Sequence, residues 1–201
     1  MRRTLLALSS LLPLLALTSC GETPDGEPAP DTAMSAPAQD QTAADAPAPP
    51  EAPVHDSGLP TDAMPVVPGG RGSWVECPYL DTQWVADTNG QRVTGVGVDD
   101  RFDTPACVYW SYPEEPQLTV IVRHMDSTDA ATAVVDWAAP VASTDPAEEP
   151  EGWSGGRFGG NGHALYAVQK GATAVVVFSN QEQSVKPQIV AEQVIRRLQL
   201  G

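Results

Sequence analysis

Positive charge is scarce in this chain. Lysine and arginine together number 11 against 26 aspartates and glutamates, the formal net charge is −15, and no basic run exceeds two residues. Nucleic acid is therefore not an expected partner, because holding a phosphate backbone takes clustered cations. Histidine and cysteine each occur only three times. No histidine lies at ligand spacing from Cys77 or Cys107, so no zinc site is expected. The acidic clusters at residues 99–103 and 148–151 lack the spacing of a calcium loop. The glycine-rich stretch near residue 155 fits neither the dinucleotide nor the phosphate-loop pattern. No metal and no cofactor are expected. The longest apolar stretch, residues 5–17, is too short to cross a bilayer, which takes about 20 residues.

That short stretch is informative all the same. It follows Arg2 and Arg3 and ends in Leu17-Thr18-Ser19-Cys20. Charged start, apolar middle, small residues and then a cysteine is the order of a bacterial lipoprotein signal. Residues 1–19 are expected to be removed and Cys20 to carry acyl chains. More than one chain on a single cysteine exceeds the threshold for stable anchoring. The protein is then expected on the extracytoplasmic face of the cell membrane.

Residues 21–70 hold nine acidic side chains and no lysine or arginine, and alanine, proline and glycine dominate. Few apolar groups and one sign of charge cannot offset the entropy of ordering a backbone. Residues 20–70 are expected to be a disordered acidic tether. Residues 71–201 differ: all five tryptophans lie there, with 17 acidic against 9 basic residues. About 130 residues is a usual single-domain size, and this segment is expected to be one α+β domain.

Once Cys20 is lipidated, Cys77 and Cys107 remain, and an even pair in an exported domain predicts one disulfide. Pro78 suits a first helical turn, Leu80, Trp84 and Val85 repeat at helical spacing, and Asn89-Gly90 offers a left-handed stop. Strands are expected at residues 92–98, 107–112 and 118–125, with Val108, Trp110 and Tyr112 sharing a face. Ser127 is an N-cap for a helix carrying Ala131, Val134, Val135 and Ala138 at i, i+3, i+4 and i+7, ended by Pro140. Residues 145–152 are expected to form an acidic loop and residues 153–159 a weak edge strand. Strands at 164–168 and 173–179 join through Lys170-Gly171. A last helix, residues 185–200, is expected to bury Ile189, Val190, Val194, Ile195 and Leu198. Short turns between neighbouring strands predict a mostly antiparallel sheet of about five to six strands with helices packed on it.

No catalytic residue is expected. Gly152-Trp153-Ser154-Gly155-Gly156 matches a nucleophile elbow in letters, but that turn needs a buried strand before the serine and a helix after it. His124, at a strand end, is expected to pack rather than to act as a base. The flexible spacing of Gly155 to His163 allows close backbone approach, and Arg157, Asn161 and His163 are candidate ligand contacts on its rim. Lys186 is a further candidate, because a cation in the first turn of a helix opposes the helix dipole. Asn180 to Ser184 offers side chains to cap that helix or to meet a ligand.

Cys77-Pro78-Tyr79-Leu80, Asn89-Gly90-Gln91, Pro105-Ala106-Cys107-Val108-Tyr109-Trp110 and Asn180 through Lys186 resemble the domain-of-unknown-function family numbered two thousand and twenty. The resemblance runs from about Glu76 to Leu198. It implies an envelope lipoprotein of mycolic-acid-bearing actinobacteria. More loosely, the opening is similar to small lipoprotein domains with a Mog1/PsbP-like sheet, which implies a binding or adaptor module and brings no catalytic residues. The expected function is a non-enzymatic, membrane-anchored binding or adaptor module whose partners are an envelope protein or lipid. The alternative is a small hydrolase or transferase acting on cell-wall or lipid substrates.

Overall fold

The computed structural model describes residues 58–201. The expected signal peptide, the lipidation site Cys20 and the tether through residue 57 lie outside the described residues. The chain then forms helix α1 (Thr82–Asn89), strands β1 (Gly95–Asp99), β2 (Ala106–Trp110) and β3 (Pro116–His124), and helix α2 (Thr128–Ala138). Strands β4 (Asp145–Ala147), β5 (Ser154–Gly160), β6 (His163–Lys170) and β7 (Thr173–Ser179) follow, and helix α3 (Val185–Leu198) ends the unit.

The α+β class holds, with one antiparallel sheet, but it has seven strands rather than five to six, ordered β1-β2-β3-β7-β6-β5-β4. The extra strand is β4, in the segment expected to be an acidic loop. Its three residues pair with β5 through Asp145–Arg157, Pro146–Gly156 and Ala147–Gly155. Proline is tolerated there because an edge strand need not donate on both sides. β5 is therefore second from the edge, not the edge itself.

The helices follow local chemistry. Ser127 caps α2 by accepting from the Ala130 N–H at 3.1 Å, and Ala131, Val134, Val135 and Ala138 are all buried. α1 starts later than Pro78: the Asp81 carboxylate accepts from the Trp84 N–H at 2.7 Å, and Gly90 ends it in the left-handed region. In α3 the buried stripe is Pro187, Val190, Ala191, Val194 and Ile195. Ile189, expected in that stripe, is 41% exposed. It sits about 100° around the helix from Val190, and the small Ala191 takes the place against the sheet.

One face of the sheet carries α1 and α3. Val96, Tyr109, Val120, Tyr166, Val177 and Val194 belong to a single buried cluster there. The disulfide Cys77–Cys107 closes with its Cα atoms 5.7 Å apart. Cys77 precedes α1, so the bond ties the approach to that helix, rather than the helix, to β2. Two tyrosines stitch the same place: Tyr79 donates to the Pro105 carbonyl and Tyr109 to the Leu80 carbonyl. Burial pushes both phenols up.

The second face is covered in two parts. α2 packs on β5, β6 and β7. Over β1, β2 and β3 lies a strap, residues 59–75, much of which composition assigned to the tether. The boundary expected at residue 70 is thus corrected. Leu59 and Ala63 pack into the α2-side core. Arg123, almost wholly buried, donates to the carbonyls of Leu59 and Pro60 at 2.9 and 3.0 Å and stands 5.7 Å from the Phe102 ring centre. The Val66 N–H bonds to Asp99 at 2.7 Å. Further on, Trp74 pairs in parallel with Val96. Two glycines permit this approach: a Cβ on Gly95 or Gly97 would lie 2.3 Å from the Arg71 carbonyl or the Val67 side chain. Bare acidic composition hides the strap, because backbone carbonyls and one distant arginine hold much of it.

Candidate functional site

The strap and α2 do not meet at one end of the second face. Between them opens a groove of about 490 Å³. Its floor is the cross-strand pair Thr119 and Phe178. Met64 of the strap forms one side, and the β2–β3 turn supplies Pro113 and Glu115. His163 and Gly162, at the β5–β6 turn, form the other side.

Each wall has a local cause. Asn161 and Gly162 have φ of 54° and 81°, the left-handed pair that a tight two-residue hairpin requires. The Glu182 carboxylate accepts from the Gly162 N–H at 2.9 Å and holds the turn. The His163 ring lies 5.0 Å from the Phe158 ring centre, with Nδ1 3.4 Å from the Asn161 carbonyl. Phe178 meets Trp137 edge-on, with centroids 6.1 Å apart. Thr119 is 5% exposed, and its hydroxyl finds no hydrogen-bond partner among the described residues. Glu115 is the one charged side chain among the residues lining the groove.

The candidate residues do not converge. His163 stands in the groove and Asn161 on the adjoining turn. Arg157 sits opposite Tyr166 in the β5–β6 register, on the α3 face, exposed to solvent. Tyr166 donates to the Glu149 carbonyl, and burial pushes its phenol up to about 12. Lys186 donates to the Asn89 carbonyl at 2.8 Å and to Gln181 at 3.0 Å. Its cation thus answers the negative end of α1, which offsets its placement at the start of α3.

Lys186 belongs to a polar cluster built from the motif residues. Asn89, fully buried, donates to the Gln117 amide oxygen at 3.1 Å and accepts from Ser179 at 2.7 Å. Gln117 in turn donates to the Trp110 carbonyl at 3.1 Å. Gln91 and Asn180 exchange amide hydrogen bonds at 3.1 and 3.3 Å. These groups satisfy one another, as buried polar groups must, and join α1, β3, β7 and α3.

The remaining candidates take structural places. Ser154 opposes Gln169 and Gly160 opposes His163, so Ser154 and His163 stand six strand residues apart, about 20 Å. Ser154 opens a strand and does not sit on a strand-to-helix turn. Asp99 is 3% exposed and bonds to Arg101 at 2.6 Å. Desolvation pushes its carboxyl up, but the Arg101 guanidinium and the N–H groups of Val66 and Arg101 outweigh that and hold it below its ordinary range. His124 lies between the Thr104 and Thr173 hydroxyls at 3.1 and 3.4 Å. Tyr112, expected beside Trp110, is 68% exposed beyond the end of β2. Among the described residues no group of three or more His, Cys, Asp or Glu is placed to hold a metal, and no helix is long and apolar enough to cross a membrane.

Sequence reasoning missed Thr119, Phe178, Met64 and Glu115. One signal was present: Thr119 interrupts the run Leu118 to Val122, a strand buried on both faces, where a hydroxyl needs a reason.

The chain belongs to the family described as a domain of unknown function, DUF2020, whose model matches residues 59–200. The match starts at Leu59, where the strap meets Arg123, rather than at Glu76. No curated protein matches the chain.

Proposed function

We propose that the chain is an envelope lipoprotein, acylated at Cys20 and held on the extracytoplasmic face of the cell membrane. Its folded unit is a non-enzymatic binding or adaptor module for an envelope protein or lipid, and it binds through the groove on the second sheet face. The observation that carries this reading is the Thr119 hydroxyl. It is the polar tip of a nearly buried side chain that lines a concave surface with an aromatic floor, and it has no partner among the described residues. Concave sites with apolar walls and a few placed polar groups are where ligands bind. The polar cluster at Asn89, by contrast, is satisfied internally. The hydrolase or transferase reading has less support, since Ser154, His163 and Asp99 stand apart and Asp99 is engaged with Arg101.

A photocrosslinking residue at position 163 of the full lipidated chain, in native cells, tests the reading. The control carries it at position 197, on the exposed side of α3. A discrete adduct from position 163 alone is expected, and mass spectrometry names it. No adduct from 163, or the same adducts from both, overturns the groove as the binding surface. Cys20→Ala should abolish fatty-acid labelling and membrane attachment; unchanged attachment refutes the anchor.

A further inference from the structure

One wall of the groove is not part of the sheet. Met64 belongs to the strap, and the strap is the segment through which the folded unit continues back toward Cys20. Its attachments are few and come one after another along the chain. Arg123 holds the carbonyls of Leu59 and Pro60. Arg101 donates to the Met64 carbonyl at 3.3 Å. Asp99 accepts from the Val66 N–H at 2.7 Å and from the Arg101 guanidinium at 2.6 Å. A single ion pair thus fixes the backbone on both sides of Pro65, beside the groove.

The strap also leaves much of its own apolar surface in water. Met64, Val66, Trp74 and Val75 are 47, 65, 57 and 51% exposed. Segments with few buried apolar contacts open at the lowest cost. The far end of the strap is held differently. Cys77 is covalently joined to Cys107 in β2, so a chain lifted from Leu59 onward comes free only as far as residue 76. Force applied from the Cys20 side reaches Leu59 before any other described contact and loads the attachments in turn.

We propose that the strap is a detachable wall of the groove. Tension from the anchored end lifts it from Leu59 toward Trp74, the Cys77–Cys107 bond stops it, and the groove loses Met64 while the sheet stays folded. Binding and strap attachment are then linked. An occupant that touches Met64 favours the attached strap, and a lifted strap weakens the occupant by the same factor. The inference rests on the reading of the groove as the binding surface and of Cys20 as the anchor.

Two measurements test it. The first needs no occupant: the full chain carrying Cys20→Ala is pulled between its two ends. Residues 59–75, at about 3.5 Å each when extended, should free about 60 Å of contour in an early transition, before the sheet opens. A single transition for the whole unit, or an early one that frees far more, overturns the bounded peel. The second places the crosslinking residue at position 163 in the full lipidated chain carrying Arg101→Ala. Arg101 is half exposed and does not line the groove. Hydrogen exchange at residues 59–66 should quicken, that of β3 and β7 should not, and the adduct should fall severalfold. Met64→Ala should lower the adduct with exchange unchanged. Unchanged strap exchange in Arg101→Ala removes the clamp and overturns the proposal. An adduct undiminished in either variant overturns the linkage and leaves the groove standing. No adduct from the unaltered chain is a different result: it overturns the groove itself, and the linkage with it.

Discussion

The two faces of this sheet are closed by different means. The first is sealed by α1 and α3 over a continuous apolar cluster, with a disulfide, two tyrosine hydrogen bonds and a satisfied polar cluster at its rim. The second is shared between α2 and a strap held largely by polar contacts to Arg123 and Asp99. Apolar burial is non-directional and fills space, whereas a strap hung on a few hydrogen bonds leaves gaps where those bonds stop. The first face thus carries the disulfide and the satisfied polar cluster, and the second carries the groove.

The disulfide sets the largest effect. Its loop spans 30 residues, and in the chain-entropy model a loop of that size is worth about 3–4 kcal/mol. Replacing Cys77 and Cys107 by alanine should lower the unfolding free energy by that amount in a denaturant titration. A loss under about 1 kcal/mol would remove the disulfide from the first face's advantage. Asn89→Ala comes next. It strips partners from Gln117 and Ser179 at once, so about 2–3 kcal/mol should be lost. A cost near zero would mean that water replaces Asn89, and that the polar cluster is not sealed.

Legibility in the sequence followed local signals rather than the face on which an element lies. The cap at Ser127, the stripe through Ala138 and the Cys77–Cys107 pair are local or combinatorial signals, and all three are present in the structure. The strap was not legible. Its proline and acid content matches the residues before it, and its contacts reach 33 residues to Asp99 and 63 to Arg123. Lys186 showed as an anomaly, but its partner Asn89 lies 97 residues away. β4 carries too few residues for a period. Of the groove, His163 was found for its residue type, while Thr119 needed knowledge that both faces of β3 are buried.

The strap supplies the third prediction. Asp99→Asn removes the charge that binds Arg101 while keeping an acceptor for Val66, so about 1–2 kcal/mol of strap attachment should go. The readout is limited proteolysis between residues 59 and 66, faster in the variant while β3 and β7 stay protected from hydrogen exchange. The native protein adds a pH signature. The Asp99 carboxyl is held below its ordinary range, so its contribution is complete at neutral pH and is lost as pH falls through the lowered value. Strap cleavage should therefore rise only in acid, and Asp99→Asn should flatten that rise. A strap equally resistant in both proteins would show that apolar packing of Leu59 and Ala63 is sufficient, and the contrast between the faces would narrow.

The smallest expected effect on stability is the sharpest test of what the second face is for. Thr119→Val keeps the shape of the side chain and deletes a hydroxyl that bonds to no described residue. No internal hydrogen bond is lost, so the unfolding free energy should change by under about 0.5 kcal/mol, in either direction. Crosslinking from position 163 should nevertheless fall severalfold, because the deleted group is the one the groove offers. A stability loss of about 1–2 kcal/mol with crosslinking preserved would instead mean that the hydroxyl is a structural bond. The groove would then lose its main claim. If neither quantity moves, Thr119 is a space-filling residue and the binding surface lies elsewhere on the second face.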